Sequence, residues 1–162
     1  MPDVENLRPT PDRVRETLFN WLQNIIEGAK CLDLYAGTGA LGFEAASRGA
    51  ANVILIEQDR LLADQLAENI NMLAATEVQL ERADALSWLQ RCTQQFDLVF
   101  LDPPFDQGLI EKSCNILRDK DCLGHKGMIY IEAERSLQLP SFLDIIKQGS
   151  AGHVKYVLAK LV

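Results

Sequence analysis

The stretch Cys31-Leu32-Asp33-Leu34-Tyr35-Ala36-Gly37-Thr38-Gly39-Ala40-Leu41-Gly42 decides how the rest of the chain is read. A short apolar run carries one acid and ends in a glycine turn. The next residues, Leu41-Gly42-Phe43-Glu44-Ala45-Ala46, read as helix. The pattern is strand, tight loop, helix N-terminus. Gly37 and Gly39 can take positive φ and bring ligand atoms close to the main chain. The first helical turn offers unpaired N–H groups to acceptors.

Outward from this stretch, apolar strands alternate with helices. Upstream, Thr10 can cap a helix with Pro11 at its first position. That helix is expected to reach about Ile26, burying Val14, Leu18, Leu22 and Ile25 at helical spacing, and to end at Gly28. Strands are expected at about 30–35, 53–56, 78–81, 96–101 and 128–132, and helices up to about 48 and over about 60–75, 85–92 and 107–118. In the 60–75 helix, Leu62, Leu66, Ile70 and Leu73 are expected to face inward. The 96–101 strand is almost wholly apolar, as suits a central strand covered on both faces. The tail breaks the rhythm. Residues 142–147 and 154–159 read as strands joined by Gln148-Gly149-Ser150-Ala151-Gly152, too short for a parallel crossover, so an antiparallel hairpin is expected.

This order predicts an α/β fold with a doubly wound, mostly parallel sheet. One domain is expected over 1–162, with 1–28 as N-terminal segment and helix and 29–162 as core. Ligands of such sheets bind beyond the carboxyl ends of the strands, where strand order reverses. The glycine loop, Glu57, Asp84 and Asp102 each follow a strand.

Composition narrows the class. With 48% hydrophobic and 24% charged residues, the 162-residue chain is globular in character. No apolar run reaches membrane-span length, and the N-terminus lacks a signal-peptide pattern. Cys31, Cys92, Cys114 and Cys122 form no Cys-x-x-Cys pair, so no metal is expected, and free thiols fit the cytoplasm. The net charge of −7 argues by itself against nucleic-acid binding. Its distribution qualifies that, because Arg8, Arg13 and Arg15 cluster near the start and Lys147, His153, Lys155 and Lys160 near the end. Either cluster can equally be an ordinary solvated face.

Gly37-Thr38-Gly39-Ala40-Leu41-Gly42 fits G-x-G-x-x-G, and Glu57 stands where an acid can hold a ribose hydroxyl. This alone fits a nicotinamide dinucleotide as well as other adenosine ligands. Three further features separate them. Asp33, inside the first strand, would repel a pyrophosphate and attract an ammonium group. Asp84 can accept from an adenine amine, or simply cap the next helix. Asp102-Pro103-Pro104-Phe105 ends a buried strand with two residues that cannot donate backbone hydrogen bonds. Carbonyls and a carboxylate remain as acceptors, and Phe105 adds a flat apolar face. That set suits a planar base bearing an exocyclic amine.

With these motifs in view, Asp33-Leu34-Tyr35-Ala36-Gly37-Thr38-Gly39 resembles the S-adenosylmethionine loop of class I methyltransferases. Asp102-Pro103-Pro104-Phe105 resembles the motif of those that methylate amino groups of bases. Arg8-Pro9-Thr10-x-x-Arg13-Val14-Arg15-Glu16-x-Leu18-Phe19-Asn20 narrows the likeness to the bacterial RsmD family, which methylates the N2 amine of one guanine in small-subunit ribosomal RNA. The resemblance covers nearly the whole chain. It implies a Rossmann-like, seven-stranded sheet and S-adenosyl-L-methionine as cofactor. It implies cofactor contacts at Thr10, Asp33, Tyr35, Gly37, Thr38, Gly39, Glu57, Asp84 and Ala85. It implies catalysis by Asp102, Pro103, Pro104 and Phe105, and RNA contacts at Arg8, Arg13, Arg15 and Phe105. The expected partner is small-subunit ribosomal RNA, bare or in an assembling particle, with the protein acting as a cytoplasmic monomer. Family members carry a basic N-terminal hairpin ahead of the Arg-Pro-Thr segment, whereas this chain starts nearly at that segment. The difference matches the acidic charge and lowers the expected independent affinity for RNA. Competing readings are an adenine-N6 methyltransferase, a nicotinamide-dependent oxidoreductase, and a non-enzymatic RNA-binding module.

Overall fold

A computed structural model describes residues 11–161. Arg8 and Thr10 lie outside the described residues. In chain order the elements are α1 (Pro11–Leu22), β1 (Lys30–Asp33), α2 (Ala40–Ser47), β2 (Asn52–Ile56), α3 (Arg60–Leu73), β3 (Val78–Glu81), α4 (Ala85–Gln90), β4 (Phe96–Leu101), α5 (Leu109–Asp119), β5 (Leu123–Glu134), β6 (Leu143–Ala151) and β7 (Val154–Leu161). They build a seven-stranded sheet in the order β3-β2-β1-β4-β5-β7-β6. The first five strands are parallel, and β7 runs antiparallel to both β5 and β6.

Strand periodicity sorts the core into two layers. Cys31, Val53, Leu55, Leu98, Phe100, Tyr130 and Leu158 point to one face, against Leu18, Phe19 and Leu22 of α1, Ala45 of α2 and Leu66 of α3. Leu32, Ile54, Val99, Ile129 and Ile131 point to the other, against Trp88 and Leu89 of α4 and Cys114 and Leu117 of α5. Covering on both faces is why these strands are almost continuously apolar.

Three boundaries and one buried face differ from the sequence expectation. Helix α1 stops at Leu22, not Ile26. The N–H groups of Ile25 and Ile26 both turn back to the Leu22 carbonyl, at 2.9 and 3.0 Å, and Ile26 is buried from a turn. On α3 the buried residues are Ala63 and Leu66, while Leu62 and Leu73 are 37% and 63% exposed. Strand β5 begins at Leu123, earlier than its apolar core suggests. Gly127 hides this: a Cβ there would lie 2.9 Å from Leu123 Cβ and 3.0 Å from the Phe96 carbonyl, beside a register shift in the β4–β5 pairing. The hairpin joint is shorter than Gln148–Gly152, since β6 runs on to Ala151. Gly149 pairs with Tyr156 and lies under its ring, which leaves no room for a side chain.

Candidate active site

Strand order reverses between β1 and β4. The loops leaving these strands diverge there and open a cleft of about 470 Å³. Its walls come from four loops: Tyr35 and Gly37 after β1, Glu57 and Gln58 after β2, Asp84 and Ala85 after β3, and Asp102 and Pro104 after β4. Leu34, Ile56, Leu62 and Leu86 supply apolar surface.

The glycine loop has the backbone its sequence requires. Gly37 and Gly39 have φ of 57° and 82°. The Gly39 N–H donates to the Ala36 carbonyl at 2.8 Å, and the Gly39 carbonyl accepts from Phe43 at 2.9 Å, which starts α2. Gly42 is needed for a different reason. A Cβ there would lie 2.3 Å from Leu55 Cδ2, so its absence lets α2 press against β2. Thr38 is exposed and is not part of the cleft wall.

Glu57 ties two loops together. Its Oε1 accepts from the Gly37 N–H and its Oε2 from the Asp59 N–H, each at 2.8 Å. Each carboxylate oxygen keeps a further lone pair, so the side chain can still accept from ligand hydroxyls. Asp84 has both roles considered from sequence. It caps α4 by accepting from the Ser87 N–H at 3.0 Å, and it lines the cleft. Tyr35 is half-buried, its hydroxyl 2.7 Å from Ser113 Oγ on α5.

Asp33 is 1% exposed and lies outside the cleft lining. Its Oδ2 accepts from the Gly42 N–H at 3.1 Å. Burial pushes its carboxyl up to about 7, the Gly42 N–H opposes this, and the charges of Asp102, Glu57 and Glu132 add to it.

The Asp102-Pro103-Pro104-Phe105 turn forms the partition between the cleft and a second, smaller cavity. Asp102 and Pro104 face the cleft; Pro103, Pro104, Phe105 and Glu132 line the second cavity. Asp106, just beyond, takes a φ of 64°, a left-handed conformation that Asp tolerates better than most residues. Register pairs Asp33 with Phe100 and Phe100 with Tyr130. Leu101 pairs with Ile131, which brings Asp102 beside Glu132. The Tyr130 hydroxyl donates to Glu132 Oε1 at 2.7 Å in a buried contact.

The arginines are separate from this site. Arg15 pairs with Asp12 at 2.6 Å and approaches Glu44 at 3.8 Å, and Arg13 is exposed on α1. Neither lines the cleft or the second cavity. Among the described residues, no group of three or more His, Cys, Asp or Glu could hold a metal ion, and no helix is long and apolar enough to cross a membrane.

With this geometry in place, comparison with known proteins is direct. A family profile described as "Conserved hypothetical protein 95" matches residues 1–160. Ribosomal RNA small subunit methyltransferase D of Escherichia coli strain K12 is 44% identical over 161 residues, covering 98% of this chain and 81% of its own. The chain belongs to the RsmD family. Solved structures agree with the assignment. That of yhhF from Escherichia coli superposes with a TM-score of 0.90 at 43% identity, over 98% of this chain and 90% of that one. That of HI0767 from Haemophilus influenzae gives 0.83 at 39% identity, over 93% and 98%.

In this RsmD-family chain, sequence reading did not single out Glu132, Ser113 or Gln107 for the site. Glu132 had a signal, since it is an acid closing an apolar strand, as Glu57 and Asp102 do. Ser113 and Gln107 had none: each reaches the site through the packing of α5 and the loop before it.

Proposed function

We propose that this chain transfers a methyl group from S-adenosyl-L-methionine to the exocyclic N2 amine of a guanine in small-subunit ribosomal RNA. In this reading residues 1–162 act as one methyltransferase domain, in the cytoplasm and as a monomer, on bare RNA or an assembling particle. The observation that carries it is the charge of the cleft. Among the described residues Glu57, Asp84 and Asp102 line it, and no Lys, Arg or His does. Such a wall repels a pyrophosphate and favours an adenosine ligand bearing positive charge. The nicotinamide reading is disfavoured for that reason. The family relative from Escherichia coli supports the ribosomal RNA target through its name.

Glu57 accepts from ribose hydroxyls and Asp84, with Ala85, borders the adenine. Gly37 and Gly39 admit the methionine part, with Thr38 beside them. Asp33, beneath the loop, gives up its proton as the ligand ammonium approaches and then attracts it, and Tyr35, steadied by Ser113, flanks it. Thr10 is assigned to the methionine end. Bound S-adenosylmethionine supplies an electrophilic methyl group. Asp102 and the carbonyl of Pro103 or Pro104 accept N–H hydrogen bonds from the base amine. This fixes the nitrogen and stabilises the positive charge that grows on it. Phe105 stacks on a base drawn away from its neighbours. Arg8 and Arg13 are assigned to phosphate, while Arg15, already held by Asp12 and Glu44, is at most a minor contributor.

The test is incubation with labelled S-adenosylmethionine and either bare ribosomal RNA or small-subunit particles, followed by nucleoside digestion. N2-methylguanosine is the expected product. N6-methyladenosine would replace the guanine assignment, and no methylated nucleoside would remove the enzymatic reading.

A further inference from the structure

An open groove of about 580 Å³ runs along the β5–β6 connection and the outer hairpin strands. Leu137 and Gln138 line both this groove and the second cavity, and Pro104 and Leu109 line both that cavity and the cleft. The three spaces therefore adjoin one another in sequence, with the Asp102-Pro103-Pro104-Phe105 turn between the first two. The groove differs from the other two in charge. Among the described residues Arg135 and Lys155 line it and no Asp or Glu does, in a chain of net charge −7.

Both cations are positioned by neutral partners. Arg135 Nη1 donates to the Gly152 carbonyl at 3.2 Å, and Lys155 Nζ donates to the Leu137 carbonyl. Among the described residues neither makes an ion pair, in contrast to Arg15, Arg48 and Arg118. Among the described residues their charge is thus held in place by carbonyls and not by acids. Gln138, Gln148, Ser136 and Ser141 add amide and hydroxyl groups along the same groove.

From these features we infer that the groove binds the single-stranded RNA next to the base being methylated, with Arg135 and Lys155 on its phosphates. The inference rests on the RNA methyltransferase reading and extends it to a surface that does not include Arg13 or Arg15. Phosphate contacts position a strand without reading its sequence. The amides and hydroxyls suit ribose and base edges.

The test uses the full chain, the double variant Arg135→Gln/Lys155→Gln, and the control Lys126→Gln at the other end of β5. Binding of a short fluorescein-labelled single-stranded RNA of mixed sequence is measured against KCl concentration. The double variant should flatten the log–log salt slope by about 1.4, from about 0.7 per phosphate contact, and weaken binding at least about tenfold at about 0.1 M salt. The control should match wild type. S-adenosylhomocysteine affinity should be unchanged in both, which also reports folding. As a measurement that needs no variant, 4-thiouridine in the RNA should crosslink wild-type protein within residues 135–141. An unchanged slope, as expected if the groove serves a protein partner, or crosslinks confined to α1, would overturn the inference. Failure of the functional reading looks different: wild-type protein would bind no S-adenosylhomocysteine or leave RNA unmethylated.

Discussion

The two halves of the sheet's carboxyl edge hold their polar groups in different ways. On the β1–β3 side, acids are pinned by backbone N–H groups a few residues away or in the adjoining loop. Asp59 and Asp84 cap helices, and Glu57 clamps Gly37 to Asp59. On the β4–β7 side, position comes from long-range register. The Leu101–Ile131 register carries Asp102 beside Glu132, and Arg135 and Lys155 reach one groove from a connection and a hairpin strand that pack together. The first half is a pre-formed cradle whose shape is local. The second is a surface that exists only once the sheet is assembled. This suits a small cofactor of constant shape on one side and a polymer strand on the other.

The sharpest way to break the comparison is at the partition. Asp102→Ala should lower the methyl-transfer rate about 10³-fold while S-adenosylhomocysteine affinity stays near wild type. Equal loss of both in rate assays and calorimetry would mean that the two halves are not separable.

Asp33 gives the next largest effect. Its carboxyl is raised from 3.8 to about 7, chiefly by burial. The native state therefore holds a proton that the unfolded chain releases, and wild type loses stability as pH rises across that window, levelling above it. Asp33→Asn can still accept from Gly42 and has no such proton to lose. Its urea midpoint should gain on that of wild type with rising pH over the same range. A pH-independent difference would show that Asp33 is charged when folded.

Gly42→Ala tests how tightly the cradle is built. The added carbon would meet Leu55 at 2.3 Å, Asp33 Oδ2 at 3.2 Å and Val53 at 3.3 Å. A loss of about 2 kcal/mol in denaturant unfolding is expected from overpacking. The same change at Gly28, where a Cβ would meet nothing within 4 Å, faces only its φ of 75° and should cost less. Glu57→Ala should give the smallest effect, about tenfold weaker S-adenosylhomocysteine binding by titration calorimetry, as one charged acceptor is removed. The methylated position should not change. Unaltered affinity would mean that the ribose is held elsewhere.

Much of the cradle was legible because its causes are short-range. The positive φ of Gly37 and Gly39, the acid after β2 and the cap before α4 all act within a few residues of the motif that announces them. The Asp-Pro-Pro turn was legible for the same reason, since two prolines forbid further strand pairing. Less legible were features set by packing. Gly149 and Gly127 read as loop residues but are strand residues, because Tyr156 covers one and the β4–β5 irregularity accommodates the other. Leu73 fits the helical period yet is 63% exposed, since period alone does not say where a neighbouring element ends.

From the residues alone came the alternation of strands and helices, the glycine loop, the acids at strand ends and the antiparallel tail. These depend on backbone preference and on periods of two and 3.6, which any short window of chain contains. Only the tertiary structure decided that Asp33 is buried under α2 rather than exposed in the cleft, that Glu132 stands beside Asp102, and that Arg135 and Lys155 share one groove. Those facts depend on register and on contacts between residues far apart in the chain. A charge acquires its meaning there from the burial and partners around it.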